Sequence, residues 1–427
     1  MKRSPLVVIF TTVFIDLVGF GIVIPVLPFY AEGTAFNATP RTVGLLFASY
    51  SIMQLIFSPI LGGLSDKHGR RPVLLLSIIG TGIGFLVLGF AQSILMLFIG
   101  RILDGITGGN ISTAQAYIAD ITTKENRAKG MGLIGAAFGL GFIFGPAIGG
   151  ILSHWGIHVP FFFAAALCFA NAVLLYFTLP ETVTANHPAR NSAARGRGLR
   201  DVILSLKQPK LAFVLIIYFL FIVAFSIMTT SFSLYTMFRF GYDAQHTGYL
   251  FAYVGLIAVI IQGGLIGRLV KRFGELPLVI VGALCFAISL FAVPFVGPAA
   301  GGLAALLVGG GVFSMGNSLA TPALTSLASK SVNAAQQGII LGVTQSTASL
   351  ARAVGPFLAA VLINSSIAHV GADGVPHYMS DQSLFVTFWT GAGIMFLAFS
   401  LAFYYKTVFS HVNLRPTSQT EQSVPRD

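Results

Sequence analysis

Residues 62–72 read GGLSDKHGRRP, a short polar run between two long apolar segments. The run predicts a tight turn between two membrane-spanning helices, because glycine permits both close helix approach and a sharp chain reversal. Its aspartate can pair with a following arginine or cap the N-terminus of a helix in the other half of the chain. The alternative is a basic anchor loop without a gating role. The gating positions are Gly62, Asp66, Gly69, Arg70 and Arg71.

The composition around this run is that of an integral membrane protein. Of 427 residues, 55% are hydrophobic and 9% are charged, whereas soluble domains average about 25% charged residues. A helix needs about 20 apolar residues to cross a bilayer, and twelve such segments recur. The predicted spans 1–12 lie near 6–30, 43–63, 72–91, 94–120, 128–152, 159–179, 211–236, 245–267, 276–297, 300–327, 338–364 and 382–405. The fold class is an all-α membrane protein with twelve transmembrane helices.

The basic residues predict the orientation of these spans. With a cytoplasmic N-terminus, 21 of the 25 Lys and Arg residues fall in cytoplasmic segments and two in external loops. Cytoplasmic loops of membrane proteins carry such an excess, so we expect a multi-pass protein of the cell membrane with both termini in the cytoplasm. The net charge of +11 then faces anionic lipid headgroups, and nucleic acid is not needed as a partner.

The chain divides at its longest polar stretch. Residues 181–210 are rich in Ala, Arg, Gly and Asn, a composition typical of a cytoplasmic linker. The predicted divisions are an N-terminal six-helix half at 1–180, the linker at 181–210, a C-terminal six-helix half at 211–405 and a cytoplasmic tail at 406–427.

The two halves repeat weakly. GGLSDKHG at 62–69 matches GRLVKRFG at 267–274, and GPAIGGIL at 145–152 matches GPFLAAVL at 355–362. The shared order and nearly constant offset indicate duplication into two pseudo-symmetric halves. Transporters built this way bind their substrate near the membrane midplane, between the repeats.

The polar run resembles the signature loop of the major facilitator superfamily. RILDGITGG, which begins at Arg101, is similar to the family's arginine motif, and GLGFIFGPAIGG at 139–150 resembles its antiporter motif. DLVGFGIVIPVLP at 16–28 and AQAYIADIT at 114–122 resemble the drug:proton antiporter branch that contains the tetracycline exporters. The resemblance implies the major facilitator fold, export by exchange, and the proton gradient as energy source.

The antiporter-like run also has a physical interpretation. Its small residues form a smooth face on which a neighbouring helix can slide, and its proline permits a kink. Ordinary close packing is the alternative. The positions concerned are Gly141, Gly145, Pro146, Gly149 and Gly150.

The chain departs from the resembled branch in its acidic residues. Tetracycline exporters carry aspartates in the third and ninth helices, where this chain has Gly84 and an acid-free segment at 276–297. Instead, Asp104 lies in span 4, where the arginine motif is not usually acidic. The layout of the proton-coupling groups is therefore predicted to differ.

Ionisable residues within spans are functional candidates, because each isolated charge costs about 2.5–3.5 kcal/mol even on lenient insertion scales. Arg101 and Asp104 stand three residues apart, so their side chains can pair on one helix face. We expect Asp16 and Asp104 to carry protons, with Arg101 tuning Asp104 or acting in the proton step. A purely structural salt bridge, and a packing hydrogen bond at Asp16, are the alternatives.

Arg352, near the middle of span 11, is expected either to bind an anionic group of a substrate or to pair with one of the two aspartates. Five amides could also line a substrate pathway, although such residues more often make structural hydrogen bonds between helices. They are Gln54, Asn110, Gln115, Asn317 and Gln345.

Together these features predict a proton-coupled secondary transporter that exports drug-like amphipathic molecules by antiport and alternating access. One rival is a proton-coupled symporter that imports a small organic solute; another is a receptor or scaffold on the same fold. No correctly placed nucleotide-binding, metal or nucleophile motif indicates an enzyme. The expected partners are a small-molecule substrate, protons and the lipid bilayer, with no cofactor or metal, and the expected functional unit is a monomer.

Overall fold

A computed structural model describes residues 5–33, 36–123, 127–183, 208–332, 337–363, 369–370, 376–377 and 380–409. Most of the predicted linker and nearly all of the predicted tail, 184–207 and 410–427, lie outside this part of the chain.

Twelve long helices account for most of the described residues. They are α1 Pro5–Glu32, α2 Pro40–His68, α3 Arg70–Gly89, α4 Ile94–Ile121, α5 Arg127–Ser153, α6 Val159–Thr178, α7 Pro209–Phe240, α8 Ala244–Phe273, α9 Glu275–Phe295, α10 Gly302–Lys330, α11 Gln337–Leu362 and α12 Asp381–Phe409. Two short strands, β1 His369–Val370 and β2 Pro376–His377, pair antiparallel between α11 and α12.

The bilayer explains these helices, since a helix satisfies all of its backbone hydrogen bonds internally. In the described part of the chain, eleven helices are long and apolar enough to cross a membrane; the remaining long helix, α11, carries Arg352. The predicted all-α fold with twelve transmembrane helices is confirmed. The largest differences from the predicted spans are at α2 and α8, which continue for five or six residues into their basic ends, predicted to be cytoplasmic.

Local signals set several helix ends. Thr39, Ser93 and Asp243 cap α2, α4 and α8 by accepting hydrogen bonds from the backbone amides of Thr42, Met96 and His246, as N-cap residues commonly do. Gly69 separates α2 from α3 with a φ of 106°, a conformation that only glycine adopts readily. The sharp reversal predicted for the gating loop is therefore present.

Two helices are interrupted where the site lies or where the halves meet. α4 tightens into a 3₁₀ turn at Gly108–Asn110, and α8 widens into a π-helical turn at Ile260–Leu265. Such interruptions expose backbone groups or redirect side chains, and π turns occur frequently at functional sites.

Candidate functional site

The centre of the first half holds a buried ion pair. Arg101 and Asp104 of α4 lie with Nη1 and Oδ2 2.8 Å apart, and neither side chain exceeds 4% exposure. The Arg101 guanidinium also lies 4.3 Å from the ring centroid of Tyr50 on α2. The structure thus contains the pair expected from the i, i+3 spacing. The Nε and Nη2 atoms of Arg101 are buried and have no hydrogen-bond partner among the described residues.

The 3₁₀ turn of α4 brings amide groups next to this pair. Asn110, the last residue of that turn, donates a hydrogen bond from Nδ2 to Oδ1 of Asp16 on α1 at 3.3 Å. Gln54 on α2 donates from Nε2 both to the carbonyl of Gly108, at 3.0 Å, and to the hydroxyl of Tyr50, at 2.9 Å. Three helices of the first half are therefore joined by one polar network.

A central cavity opens beside this network. Its walls include Asp16, Phe20, Tyr50, Gln54, Phe138 and, from α11 of the second half, Arg352. The free space inside it is about 10 Å³, close to the minimum that one water molecule needs. In this conformation the cavity is too narrow for a drug-sized ligand.

Arg352 reaches this cavity without an acidic partner. Its Nη2 donates to Oγ of Ser349 one helical turn away, at 3.2 Å, and its guanidinium lies 5.6 Å from the ring centroid of Phe138 on α5. No carboxylate oxygen lies within 4.0 Å of its nitrogens in the described part of the chain. Of the two expectations for Arg352, pairing with Asp16 or Asp104 is absent from this conformation.

The remaining predicted pathway residues do not join the cavity. Asn317 accepts a hydrogen bond on Oδ1 from the Thr321 hydroxyl of its own helix, at 3.0 Å. Gln115 and Gln345 are partly buried but are not among the cavity residues. The described part of the chain also brings no three His, Cys, Asp or Glu side chains together as a metal site would require.

The gating loop forms a second charged network, at the predicted cytoplasmic end. Arg70 pairs with Asp66 at 2.6 Å and with Asp120 of α4 at 3.1 Å. The Glu181 carboxylate, which follows α6, accepts hydrogen bonds from the backbone amides of Arg70 and Arg71 at 2.9 and 3.1 Å. The side chain of Arg71 donates to the carbonyl of Tyr176 and lies over its ring.

This network corrects one detail of the expected latch. Asp66 pairs with Arg70, as expected, but the helix N-terminus beside it belongs to α3 and is capped by Glu181. Apart from Glu181, which begins the predicted linker, these partners belong to the first half. In this conformation the described residues of the loop therefore contact that half and the linker rather than the second half.

Sequence reasoning missed Tyr50, Asp120 and Glu181 as members of these networks. Tyr50 stands one helical turn before Gln54, a spacing that could have suggested their contact. Asp120 lies within the quoted stretch 114–122 but near the end of its span. Glu181 gave no local signal, because the amides that it caps are more than 100 residues away along the chain.

The antiporter-like run on α5 provides two close helix contacts. A side chain at Gly145 would begin 2.6 Å from the Cα of Gly21 on α1. One at Gly150 would begin 2.7 Å from the Cα of Gly248 on α8. Gly141 and Gly149 likewise face the backbone of α1, and Pro146 lies within the helix without ending it. The run is therefore a glycine face between α1 of its own half and α8 of the other.

The two halves meet most closely at the ends that are predicted to face outside. Besides Gly150 and Gly248, Gly44 of α2 meets Ala360 of α11, where a side chain on the glycine would begin 2.5 Å from the alanine Cβ. At the predicted cytoplasmic end, no residue of Ile266–Phe273 is buried, and Gly264 has open space around it. These contacts close the bundle at the end that is predicted to face outside.

Comparisons with known proteins agree with this architecture. A sequence profile described as Major Facilitator Superfamily matches residues 9–356. The chain belongs to the major facilitator superfamily. The tetracycline resistance protein, class B, of Escherichia coli is 35% identical over 356 residues, which cover 83% of this chain and 87% of that protein. Multidrug resistance protein 2 of Bacillus subtilis (strain 168) is 31% identical over 369 residues, which cover 86% and 90%.

These relatives confirm the resemblance of this superfamily member to the drug:proton antiporter branch. Among solved structures, the nucleoside transporter NupG has a TM-score of 0.69 at 15% identity, covering 95% of this chain and 99% of that one. The human organic anion transporter MFSD10 has a TM-score of 0.66 at 24% identity, covering 94% and 99%. At these identities the likeness supports the fold alone. The chain is a multi-pass membrane transporter.

Proposed function

We propose that this transporter exports drug-like amphipathic molecules across the cell membrane in exchange for protons. The observation that carries the proposal is the cavity between the halves, with the Asp16 carboxylate in its wall and close helix contacts at the end that is predicted to face outside. Relatives named for resistance to tetracycline and to multiple drugs support the direction of transport. One route to exchange is competition between substrate and proton for a shared group, and the Asp16 carboxylate in the cavity wall offers such a group.

The buried pair supplies a second proton-dependent element. When Asp104 takes up a proton, it loses its charge, and Arg101 loses its carboxylate partner. Arg101 already has two nitrogens without hydrogen-bond partners, so release of Nη1 leaves the whole group free to find new contacts. Because Tyr50 lies against Arg101 and bonds to Gln54, a change at the pair reaches the cavity wall directly.

Alternating access then requires the external contacts to separate. The glycine contacts between α5 and α8 and between α2 and α11 must open together to release a substrate outside. The gating-loop network around Arg70 holds the first half as a unit while this happens. A protein that rocks in this way needs rigid halves and a smooth contact between them, and glycine faces provide such a contact.

Proteoliposomes with an imposed pH gradient test the proposal. Tetracycline and a panel of amphipathic dyes serve as probes, and proton movement is followed together with probe movement. Opposite directions support exchange; the same direction indicates a symporter; no coupled movement for any probe indicates a receptor or scaffold. Asp104→Asn should abolish gradient-driven transport, whereas Asp381→Asn, at an aspartate 63% exposed, should leave it intact. Unchanged transport in Asp104→Asn would exclude Asp104 as an essential proton carrier.

We also propose that both termini lie in the cytoplasm and that the monomer is the functional unit. The strong excess of Lys and Arg in alternate loops supports the orientation. A cysteine added at either terminus should resist a membrane-impermeant maleimide in intact cells and react after lysis. Transport by liposomes that each contain at most one protein molecule tests whether the monomer is the functional unit.

A further inference from the structure

Arg352 and Asp16 face the same cavity from opposite halves, and neither has an ionic partner among the described residues. Asp16 accepts a hydrogen bond from Asn110, and no Lys, Arg or His nitrogen lies within 4.0 Å of it in the described residues. Arg352 bonds to Ser349 alone. The other intramembrane charges, Arg101 and Asp104, neutralise each other at 2.8 Å. The cavity therefore presents one unpaired charge of each sign.

The contacts of Arg352 do not compensate its cost. A cation in a membrane span is costly unless it is paired. An interaction with an aromatic ring returns only part of that cost, and the guanidinium of Arg352 lies 5.6 Å from the ring centroid of Phe138, close to the distance limit of about 6 Å for such interactions. Arginine also keeps its charge at every physiological pH. A group that stays charged without a counter-ion in a cavity is best explained by a ligand that brings the anion.

Three of the cavity residues are aromatic, namely Phe20, Tyr50 and Phe138, and further rings lie behind Phe20. Phe20 lies 5.2 Å from the ring centroid of Tyr50 and 5.7 Å from that of Phe142. Phe142 in turn contacts Phe225 of α7 at 5.5 Å, so the row of rings crosses from one half to the other. Such surfaces bind planar or apolar bodies. The ligand that complements this cavity has an apolar body with two opposite charges.

We propose that this transporter recognises dipolar substrates, with the acidic group bound by Arg352 and the basic group by Asp16. The inference rests on the proposed function and names its substrate class. It also explains how exchange can work at this site: a proton on Asp16 removes the charge that holds the basic group, while Arg352 is unchanged. The proton and the substrate's basic group therefore compete for Asp16, and the acidic group sets specificity.

Three fluorescent probes of nearly equal shape test the proposal. Nε-dansyl-lysine carries both charges, its methyl ester carries only the positive charge, and its Nα-acetyl derivative carries only the negative charge. Their dissociation constants are measured by dansyl fluorescence on the purified protein in nanodiscs. We expect the dipolar probe to bind at least about tenfold more tightly than either analogue, a difference of about 1.4 kcal/mol.

Substitutions assign each charge to its residue. Arg352→Gln should weaken the dipolar and acetylated probes and spare the ester, whereas Asp16→Asn should weaken the dipolar probe and the ester and spare the acetylated one. Arg352→Lys keeps the charge without the planar fork and should restore part of the affinity if folding is intact. Equal losses for all three probes would show a structural role, and no preference for the dipolar probe would overturn the proposal.

The two proposals can fail separately. Proton-driven movement of tetracycline and dyes by the unsubstituted protein tests export, whatever the binding pattern of the dansyl probes. If exchange is observed but charge selectivity is not, only the dipolar substrate class is wrong. If selectivity is observed without proton-driven movement, the site binds dipolar ligands but the protein does not export by exchange.

Discussion

Gly84 of α3 lies directly against Asp104 of α4. A side chain at Gly84 would begin 3.2 Å from the Cβ of Asp104 and 3.1 Å from that residue's backbone nitrogen. The two positions therefore border one space inside the first half. At the position predicted to correspond to an aspartate of the resembled exporters, this chain therefore has a glycine in close contact with a helix that carries a carboxylate.

Moving the carboxylate between these helices tests that relationship. Asp104→Gly should lose gradient-driven transport, because Arg101 is left buried without its partner. Adding Gly84→Asp to that variant should recover a measurable part of the transport, since the new carboxylate starts from the same space. Proton-driven probe uptake into everted vesicles measures both variants. If the double variant is no more active than Asp104→Gly, the position of the carboxylate matters and the two sites are not equivalent.

A side chain at Gly248 should force the external contact apart. Its Cβ would begin 2.6 Å from the Cα of Gly150 and 3.0 Å from the carbonyl of Pro146, so the backbones of α5 and α8 must separate. We expect Gly248→Val to favour an externally open state and to slow transport.

The opening can be followed at Ser233, which is fully buried on α7. With Cys168 and Cys285 replaced by serine, Ser233→Cys should react several-fold faster with an external impermeant maleimide when Gly248→Val is present. Gly393→Val is the control, because Gly393 has open space around it. Equal labelling in the two backgrounds would contradict the proposed closure.

Glu181→Gln should weaken the start of α3. The substitution removes the negative charge from a group that caps two backbone amides, and N-cap interactions contribute about 0.5–2 kcal/mol. The apparent melting temperature of the purified protein in detergent should fall by a few degrees. Asp381→Asn, which breaks an exposed pair with Arg239, should have a smaller effect because exposed ion pairs contribute about 0–1 kcal/mol. A larger effect at Asp381 would refute the importance of the cap.

Asp243 lies at the start of α8, and its charge should make the free energy of unfolding of the protein depend on pH. Partial burial tends to raise the pKa of Asp243, but hydrogen bonds from the backbone amide and ring of His246 outweigh it and lower that pKa below 3.8. A carboxyl group with a lowered pKa in the folded state stabilises it above the unfolded pKa. That contribution decreases as the pH falls through the two values.

Asp243→Asn should therefore lower the melting temperature at pH 7, and the difference from the unsubstituted protein should shrink below about pH 4. The side chain of Asp243 is 62% exposed, so solvent screening keeps the effect small. The N-cap hydrogen bond itself is retained in the variant, because asparagine caps helices about as well as aspartate. A difference that grows towards acidic pH would contradict this sign. His246→Ala at pH 7 separates the ring contact from the cap.

The number and approximate positions of the helices could be predicted from the sequence, because the bilayer imposes their length and polarity. Pairing of Arg101 with Asp104 was equally predictable, since both stand on one helix three residues apart. The hydropathy pattern did not predict the ends of α2 and α8, because Lys and Arg residues end the apolar segment there but not the helix. These long side chains extend into the interface while the backbone remains helical.

The contacts that no sequence pattern could predict join helices far apart along the chain. Glu181 caps α3 from the far end of α6, and Tyr50 lies over Arg101 only because α2 and α4 pack side by side. The unpaired state of Arg352 is also a property of the assembled bundle. Its charge was visible in the sequence, but whether it meets a carboxylate depends on which helix faces stand opposite α11.

The central charges are divided unequally between the duplicated halves. Asp16, Arg101 and Asp104 belong to the first half, and the second contributes Arg352. Under the functions proposed here, the groups that bind protons therefore belong to the first half, and the group that binds the anion belongs to the second. Substitutions in the second half can alter which compounds are accepted while the proton-binding groups stay in place. Such a chain can change the acidic group that it accepts without rebuilding its energy coupling, and variants selected for that change should map to Arg352 and its neighbours on α11.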